Sequence, residues 1–177
     1  RKRMEKSGPR FAEAYKGLFC YGIKTGLNDA FLIDQAKRDQ IVSSNRAADS
    51  VIRPCLAGDD IRQFELHFRN RYLIYSYHGF EIDRFPEIAA HLRPFRSFRD
   101  IRGKLMGLDH RATRQEWYEL QQPQRACEAS YRAPKIVLPD IGKELRFSIS
   151  EAGHFIENTA FAIGVKDYFL LAVLNAQ

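Results

Sequence analysis

Residues 22–31 constrain the fold of this chain more than any other segment, because they lie between two apolar runs and carry glycine at their start and in their middle. The pattern predicts a strand, a polar loop and a second strand, with glycine where the backbone turns or closely approaches another group. Three loop residues offer side-chain donors beside exposed amides: Lys24, Thr25 and Asn28. Such a loop suits contact with a polyanion or a base edge. The alternative is that the glycines and Asn28 only shape a tight connection between strands, with Asn28 capping the backbone.

Runs of aromatic and β-branched residues predict further strands, each bounded by Gly, Pro, Asn or Asp. With the two strands above, at 19–23 and 30–33, the predicted strands are 72–77, 135–138, 146–149 and 160–165. Helical patterns cover 34–44, 86–105 and 166–175, and the last is apolar almost all round, which predicts a buried helix. Because strands and helices do not alternate regularly, we expect an α+β fold in which a mostly antiparallel mixed sheet is flanked by helices in a single domain.

The ends of the chain differ in character from its middle. Residues 1–15 are polar and basic and contain Gly8-Pro9, which predicts a linker or arm before a domain at 16–177. The sequence starts without methionine and stops just after an apolar helical run, so we expect a fragment of a longer protein.

Charge favours a partner that carries phosphate. The net charge is +6 and the sequence pI is about 9.3, and cationic side chains gain affinity for nucleic acid by releasing its counterions. Arginine supplies 19 of the 28 basic residues, and its planar guanidinium grips a phosphate or a guanine edge with two bonds. A GC-rich coding sequence is the alternative explanation for this excess of arginine.

Cysteine, histidine and apolar patterns limit the other classes. The three cysteines are odd in number and far apart, which argues against a disulfide framework and is typical of a reducing cytosol. The five histidines show no metal-ligand spacing with one another or with cysteine. Apolar runs fall far short of the ~20 residues that span a bilayer, and the first residues lack the apolar stretch of a signal peptide. We therefore expect a cytoplasmic protein without a membrane partner.

The segment 93–114 concentrates the positive charge: seven basic residues against two acidic ones give +5 of the total +6. If Pro94 opens a helix, one apolar face would dock on the core and the cations would face outward. That face comprises Phe95, Phe98, Ile101 and Leu105. The predicted phosphate contacts are Arg93, Arg96, Lys104, Arg111 and Arg114. The alternative is an ordinary solvated helix face.

Two further features lie next to this basic segment. Trp117, the one tryptophan, either packs under the segment or stacks on a base, and packing is the more common role of a lone tryptophan. Gln121 and Gln122 can read adenine edges if they face a groove.

Motifs for catalysis are missing from the sequence. It contains no Gly-x-Gly pair, no phosphate loop ending in Gly-Lys-Ser/Thr and no Gly-x-Ser-x-Gly elbow. Asp140 follows a predicted strand as in metal-dependent nucleases, but no Asp/Glu-x-Lys comes after it. We therefore expect no catalysis and no bound cofactor in this chain. A metal-dependent nuclease domain and a protein or RNA interaction module remain the alternative functions.

Landmarks over about residues 17–175 resemble one known family. They run from Gly22-Ile23-Lys24-Thr25-Gly26-Leu27-Asn28-Asp29-Ala30-Phe31 through Arg53-Pro54-Cys55-Leu56-Ala57-Gly58-Asp59-Asp60-Ile61, Phe85-Pro86, His91-Leu92, Trp117-Tyr118-Glu119-Leu120, Pro134-Lys135-Ile136-Val137-Leu138-Pro139 and Asn158-Thr159 to the closing 171–175. In this order and spacing the chain resembles the C-terminal specificity domain of Taq-type adenine-N6 DNA methyltransferases and of fused type IIG restriction-modification enzymes.

The resemblance implies a target recognition domain that reads double-stranded DNA mainly from the major groove, opposite a methyltransferase domain of the same parent chain. In the family, that other domain carries the catalytic Asn-Pro-Pro-Tyr-like motif and the loop that binds S-adenosylmethionine. Neither of these two motifs occurs here. Relatives continue past the Leu-Asn pair with further helix, so we expect a small part of the domain to be missing. The predicted DNA contacts are Lys24, Thr25, Asn28, Asp29, Arg93, Arg96, Lys104, Arg111, Arg114, Gln121 and Lys135.

Overall fold

Two four-stranded sheets and one short hairpin organise the chain in the computed structural model, which describes residues 11–142 and 144–176. The strands are β1 (Phe19–Tyr21), β2 (Leu32–Asp34), β3 (Ile52–Leu56), β4 (Arg71–Ile74), β5 (Phe98–Arg99), β6 (Leu105–Met106), β7 (Lys135–Pro139), β8 (Ser148–Ser150), β9 (Phe155–Ile156) and β10 (Ala160–Ile163). The helices are α1 (Phe11–Ala14), α2 (Asn28–Phe31), α3 (Gln35–Ser44), α4 (Pro86–Leu92), α5 (Glu128–Arg132) and α6 (Tyr168–Asn175). Short 3-10 segments cover Arg46–Ser50, Gly58–Asp60, Ile82–Arg84, Arg93–Phe95, Leu108–His110 and Arg125–Cys127.

Strand pairing is antiparallel except at one edge. The first sheet has the order β1-β10-β7-β8, and all of its neighbours are antiparallel. The second sheet has the order β2-β4-β3-β9, in which β3 and β9 are parallel. The hairpin pairs β5 with β6. The predicted α+β class with mostly antiparallel strands is confirmed, and the strands divide between two sheets.

The period of two along a strand gives the first sheet two buried faces. On β7, Val137 joins the larger core cluster, which contains residues of both sheets, whereas its neighbour Ile136 joins a smaller cluster with Leu170 and Leu171 of α6. The prediction that α6 is buried all round is wrong, because Phe169 is 80% exposed. One face of α6 therefore covers the first sheet, and the other face meets solvent.

The predicted helix over 86–105 is correct only in its first part. α4 ends at Leu92, a 3-10 segment follows, and the chain then turns through the β5–β6 hairpin. Pro94 lacks the amide that a continuing helix needs, and Gly103 at φ 76° adopts a left-handed conformation that ends any regular helix. Ile101, predicted on a buried face, is therefore fully exposed.

Other boundaries follow local hydrogen bonds. α3 begins as predicted because the Asp34 side chain accepts a hydrogen bond from Lys37 N (2.8 Å), a typical N-cap. Ala30, predicted in a strand, lies instead in α2. Residues 1–10 of the predicted arm lie outside the described residues, so the boundary at 15/16 stays a prediction. No helix in the described ranges is long and apolar enough to cross a bilayer.

Candidate nucleic-acid interface

The two glycines of the loop after β1 are required by its backbone. A β-carbon on Gly22 would lie 1.9 Å from the carbonyl oxygen of Glu157, so the two backbone segments cross in direct contact there. Gly26 has φ 85°, in the left-handed region that favours glycine. The prediction that these glycines mark a close approach and a turn is confirmed.

Three backbone hydrogen bonds hold this loop against residues 121–122. Lys24 and Gln122 exchange a pair, at 3.1 Å from Lys24 N to Gln122 O and 2.9 Å in return. Gln121 N donates to Thr25 O at 3.2 Å. The pairing places the exposed Lys24 beside the two glutamines that the sequence singled out.

A side-chain hydrogen bond organises the loop internally. Thr25 is 2% exposed; its hydroxyl donates to Asn28 Oδ1 (2.6 Å) and accepts from Leu27 N (3.2 Å). Thr25 therefore shapes the loop and is withdrawn from the predicted DNA contacts, because its hydroxyl is buried and engaged. The exposed Asn28 begins α2 with Asp29 next to it. Its Nδ2 group has no partner among the described residues, so the fixed amide keeps two donors for a ligand.

Arg111 fastens the same loop from the other side. All five N–H groups of its guanidinium donate to backbone acceptors, at 2.7–3.2 Å. The acceptors are the carbonyl oxygens of Thr25, Leu108, Glu116, Trp117 and Glu119. Burial lowers the pKa of the Arg111 side chain, while the carboxylates of Glu119 and Asp109 favour its charged form. Arg111 has no donor left for a phosphate, so the prediction that it contacts DNA is corrected to a structural role.

Residues 116–120 are in turn anchored to the segment that follows β4. The buried Glu119 accepts hydrogen bonds from Gly79 N (2.6 Å) and Glu116 N (3.2 Å), and Leu120 N donates to Ser76 O (2.8 Å). The loop after β1, the segment 108–122 and the segment that follows β4 thus form one connected unit.

Arg96 and Trp117 join the basic segment to this unit. The Arg96 guanidinium lies 4.9 Å from the centre of the Trp117 ring, in a cation–π arrangement, and its Nε donates to Asp109 at 3.1 Å. Trp117 is half-buried against the core, so the predicted packing role is confirmed. Because Asp109 pairs with Arg96, less of the Arg96 charge is free for an external anion than the sequence indicates.

Among residues 11–142 and 144–176, four other exposed cations of the basic segment have no side-chain hydrogen-bond or ion-pair partner, whereas Arg99 donates to the carbonyl oxygen of Gly103 (2.7 Å). The four are Arg93, Arg102, Lys104 and Arg114. Exposed cations whose side chains form no ion pair keep their charge for an external anion. Arg93, Lys104 and Arg114 are therefore exposed and unpaired, and their contact with DNA stays a prediction.

Lys135 is buried inside the fold. Its side chain on β7 is 0% exposed, and its ammonium donates to the carbonyl oxygens of Tyr131 (3.0 Å) and Ala133 (3.3 Å). Burial lowers the pKa of Lys135 to about 8. An ammonium held there has no surface to offer a phosphate, so Lys135 is withdrawn from the predicted DNA contacts.

Asp140, the nuclease candidate, lies at an open cavity near the end of β7. Asp59, Glu157 and Arg71 also line this cavity. Arg71 approaches Glu157 Oε1 at 3.9 Å, so the cavity mixes both charges. Within the described residues, no three His, Cys, Asp or Glu side chains are grouped so as to hold a metal ion.

Sequence reasoning missed the hairpin and therefore the two residues at its tip, Ile101 and Arg102. Both are exposed, and Ile101 does not lie on the buried helix face that the sequence predicted for it. The pattern Asp-x-x-Gly at 100–103 was the available signal, because aspartate followed by glycine is typical of a turn.

Known proteins share this fold and sequence pattern. Residues 53–177 match the TaqI-like C-terminal specificity domain, which is more than half of the chain. No curated protein matches the chain in sequence. The chain is similar in structure to an enzyme described as the type IIL restriction-modification enzyme MmeI in complex with DNA, with a TM-score of 0.56 and 14% identity over 89% of this chain. It spans about 20% of the length of that enzyme, and at this identity the likeness shows a common fold. The chain belongs to the family of TaqI-like C-terminal specificity domains.

Proposed function

We propose that this chain recognises a specific sequence in double-stranded DNA, as the specificity domain of a larger adenine-N6 DNA methyltransferase or fused restriction-modification enzyme. The observation that carries the proposal is that Arg111 and the Arg96–Trp117 contact join the loop 24–29 and the glutamines beside it to the segment 93–114, which holds exposed cations. Family membership and the fold shared with an enzyme solved on DNA support the same function.

The exposed cations supply affinity that does not depend on sequence. Each phosphate that Arg93, Lys104 or Arg114 neutralises releases about one condensed counterion, so affinity falls as salt rises. Arg96 contributes less, because Asp109 shares its charge. These contacts fix the position of the domain on the duplex.

We assign base recognition to the polar side chains of Asn28, Gln121 and Asp29. The Asn28 amide is fixed by Thr25, and Gln121 lies in the strand-like pair beside Lys24. An amide side chain offers a donor and an acceptor, the combination that reads adenine in the major groove. Asp29, next to Asn28, can accept from a cytosine amino group.

The chemistry belongs to another part of the parent protein in this proposal. The sequence has no Asn-Pro-Pro-Tyr-like motif and no Gly-x-Gly turn. We assign S-adenosylmethionine binding and methyl transfer to a methyltransferase domain of the same parent chain, and we place the parent enzyme in the cytoplasm with its DNA.

Replacing Arg114 by alanine should weaken binding to every duplex alike and reduce the slope of log affinity against log salt by about one. Arg96→Ala should reduce it by less than one. Fluorescence anisotropy titrations of labelled duplexes at several salt concentrations measure this slope. Arg46→Ala, which removes an exposed arginine outside the candidate interface, is the matched control and should leave the slope unchanged. An unchanged slope for Arg114→Ala contradicts its assigned role.

Asn28→Ala or Gln121→Ala should instead change the ratio of affinities for a selected and a scrambled duplex. We expect a loss of ~1–3 kcal/mol of discrimination, with the salt slope preserved. The selected duplex is first enriched from a randomised pool with the wild-type chain. Equal losses on both duplexes would show that these residues support binding but do not read bases.

A further inference from the structure

The β5–β6 hairpin carries a fully exposed apolar side chain at its tip. Ile101 is 102% exposed, and Arg102 and Lys104 beside it are exposed and unpaired among the described residues. An isoleucine in water contributes nothing to the core. The cationic side chains beside Ile101 would be unfavourable against an apolar protein surface. The charge around Ile101 instead complements a polyanion.

Four hydrogen bonds hold the turn at the tip. Asp100 Oδ1 accepts from Arg102 N and Lys104 N, both at 2.9 Å. Asp100 N donates to Lys104 O and Gly103 N donates to Asp100 O, also at 2.9 Å. Gly103 at φ 76° permits this geometry. These bonds hold the backbone of the turn that carries Ile101.

The width of the hairpin selects one groove. Neighbouring strands lie ~4.8 Å apart, and side chains widen a two-stranded ribbon to on the order of 10 Å. The major groove of B-DNA, ~12 Å wide, admits such a ribbon, whereas the minor groove of undistorted B-DNA, ~6 Å wide, is narrower than the ribbon. In the major groove the one apolar group on a base edge is the C5-methyl of thymine.

From this geometry we infer that the β5–β6 hairpin enters the major groove and that Ile101 contacts the methyl group of a thymine in the recognition sequence. The inference rests on the proposed function and deepens it by naming a base contact. Arg102 and Lys104 then lie near the flanking phosphates or base edges and keep the tip in the groove.

The test replaces thymine by deoxyuridine, which removes only the methyl group. A duplex is selected from a randomised pool by the wild-type chain, and each thymine in it is replaced in turn. Burying one methyl group stabilises by ~0.8 kcal/mol, so the wild type should lose about fourfold in affinity at one position. Ile101→Ala should bind the thymine and uracil duplexes equally at that position and keep its other base preferences.

Ile141→Ala is the matched control, since Ile141 is 87% exposed and lies outside the candidate interface. It should retain the fourfold effect of the wild type. Both variants remove an exposed side chain, so their thermal unfolding should match that of the wild type. A selected site without thymine, no methyl effect in the wild type, or the same effect in Ile101→Ala overturns the inference while the proposed function stands. Failure to enrich any duplex overturns the proposed function itself.

Discussion

Arg111→Ala should lower the free energy of unfolding by about 3–5 kcal/mol, a large part of the stability of an ordinary domain. The change removes five hydrogen bonds from a charged group to backbone carbonyl oxygens and leaves those oxygens to find water in a half-buried site. It also leaves the buried Glu119 without the nearby cation that balances its charge. Urea denaturation followed by tryptophan fluorescence measures the loss, because Trp117 lies in the same segment.

Arg114→Ala is the control for Arg111→Ala, since it removes the same charge three residues away from an exposed site. Its free energy of unfolding should stay within about 0.5 kcal/mol of the wild type, while its affinity for DNA falls. Arg111→Lys should not rescue stability, because three donors on one ammonium cannot replace a planar fork of five. Equal stability of the two alanine variants would contradict the structural role of Arg111.

Lys135→Met should change how stability depends on pH, by up to about 3 kcal/mol. Burial holds the pKa of Lys135 at about 8 in the folded chain, against an ordinary value of 10.5. Below pH 8, Lys135 is protonated in both the folded and the unfolded chain, and the folded chain carries the full cost of a buried charge. Between pH 8 and 10.5 the unfolded state binds more protons, so the wild type gains stability as pH rises, and the methionine variant lacks this gain.

Denaturation of both proteins between pH 7 and pH 10 measures the difference. The free energy of unfolding of the wild type should rise relative to that of Lys135→Met as pH rises. Binding of Lys135→Met to a selected duplex at pH 7 should equal that of the wild type, because the side chain is 0% exposed. A pH-independent difference, or a loss of DNA affinity, would show that Lys135 reaches the surface.

Local patterns in the sequence predicted several helices and strands. They failed where contacts between residues far apart in the sequence determine the structure. Runs such as Lys135–Pro139 are rich in β-branched residues and form strands regardless of their partners. β3 contains Pro54, which argues against a strand, yet it pairs with β4 on one side and with β9 on the other. β9 has only two residues and pairs with β3. In 95–105 the apolar spacing fits a helix. The hydrogen bonds of the Asp100 side chain and the positive φ of Gly103 stabilise a hairpin instead.

For the candidate site, the sequence reveals charge but not which donors are already satisfied. Arg111 and Arg114 look alike in the sequence, yet one binds five carbonyl oxygens within the fold and the other is exposed. Lys135 begins an apolar run, a hint that it is buried with that strand. The glycines of the loop were predictable because only glycine tolerates the close approach at 22 and the left-handed turn at 26.

The most direct measurement is the ratio of dissociation constants of the 177-residue chain for a duplex selected from a random pool and for the same bases in scrambled order. Each wrong base pair costs ~1–3 kcal/mol in specific recognition, so we expect at least about tenfold tighter binding to the selected duplex. Equal affinity for the two duplexes, or no binding to either at low salt, would contradict a role in reading DNA sequence.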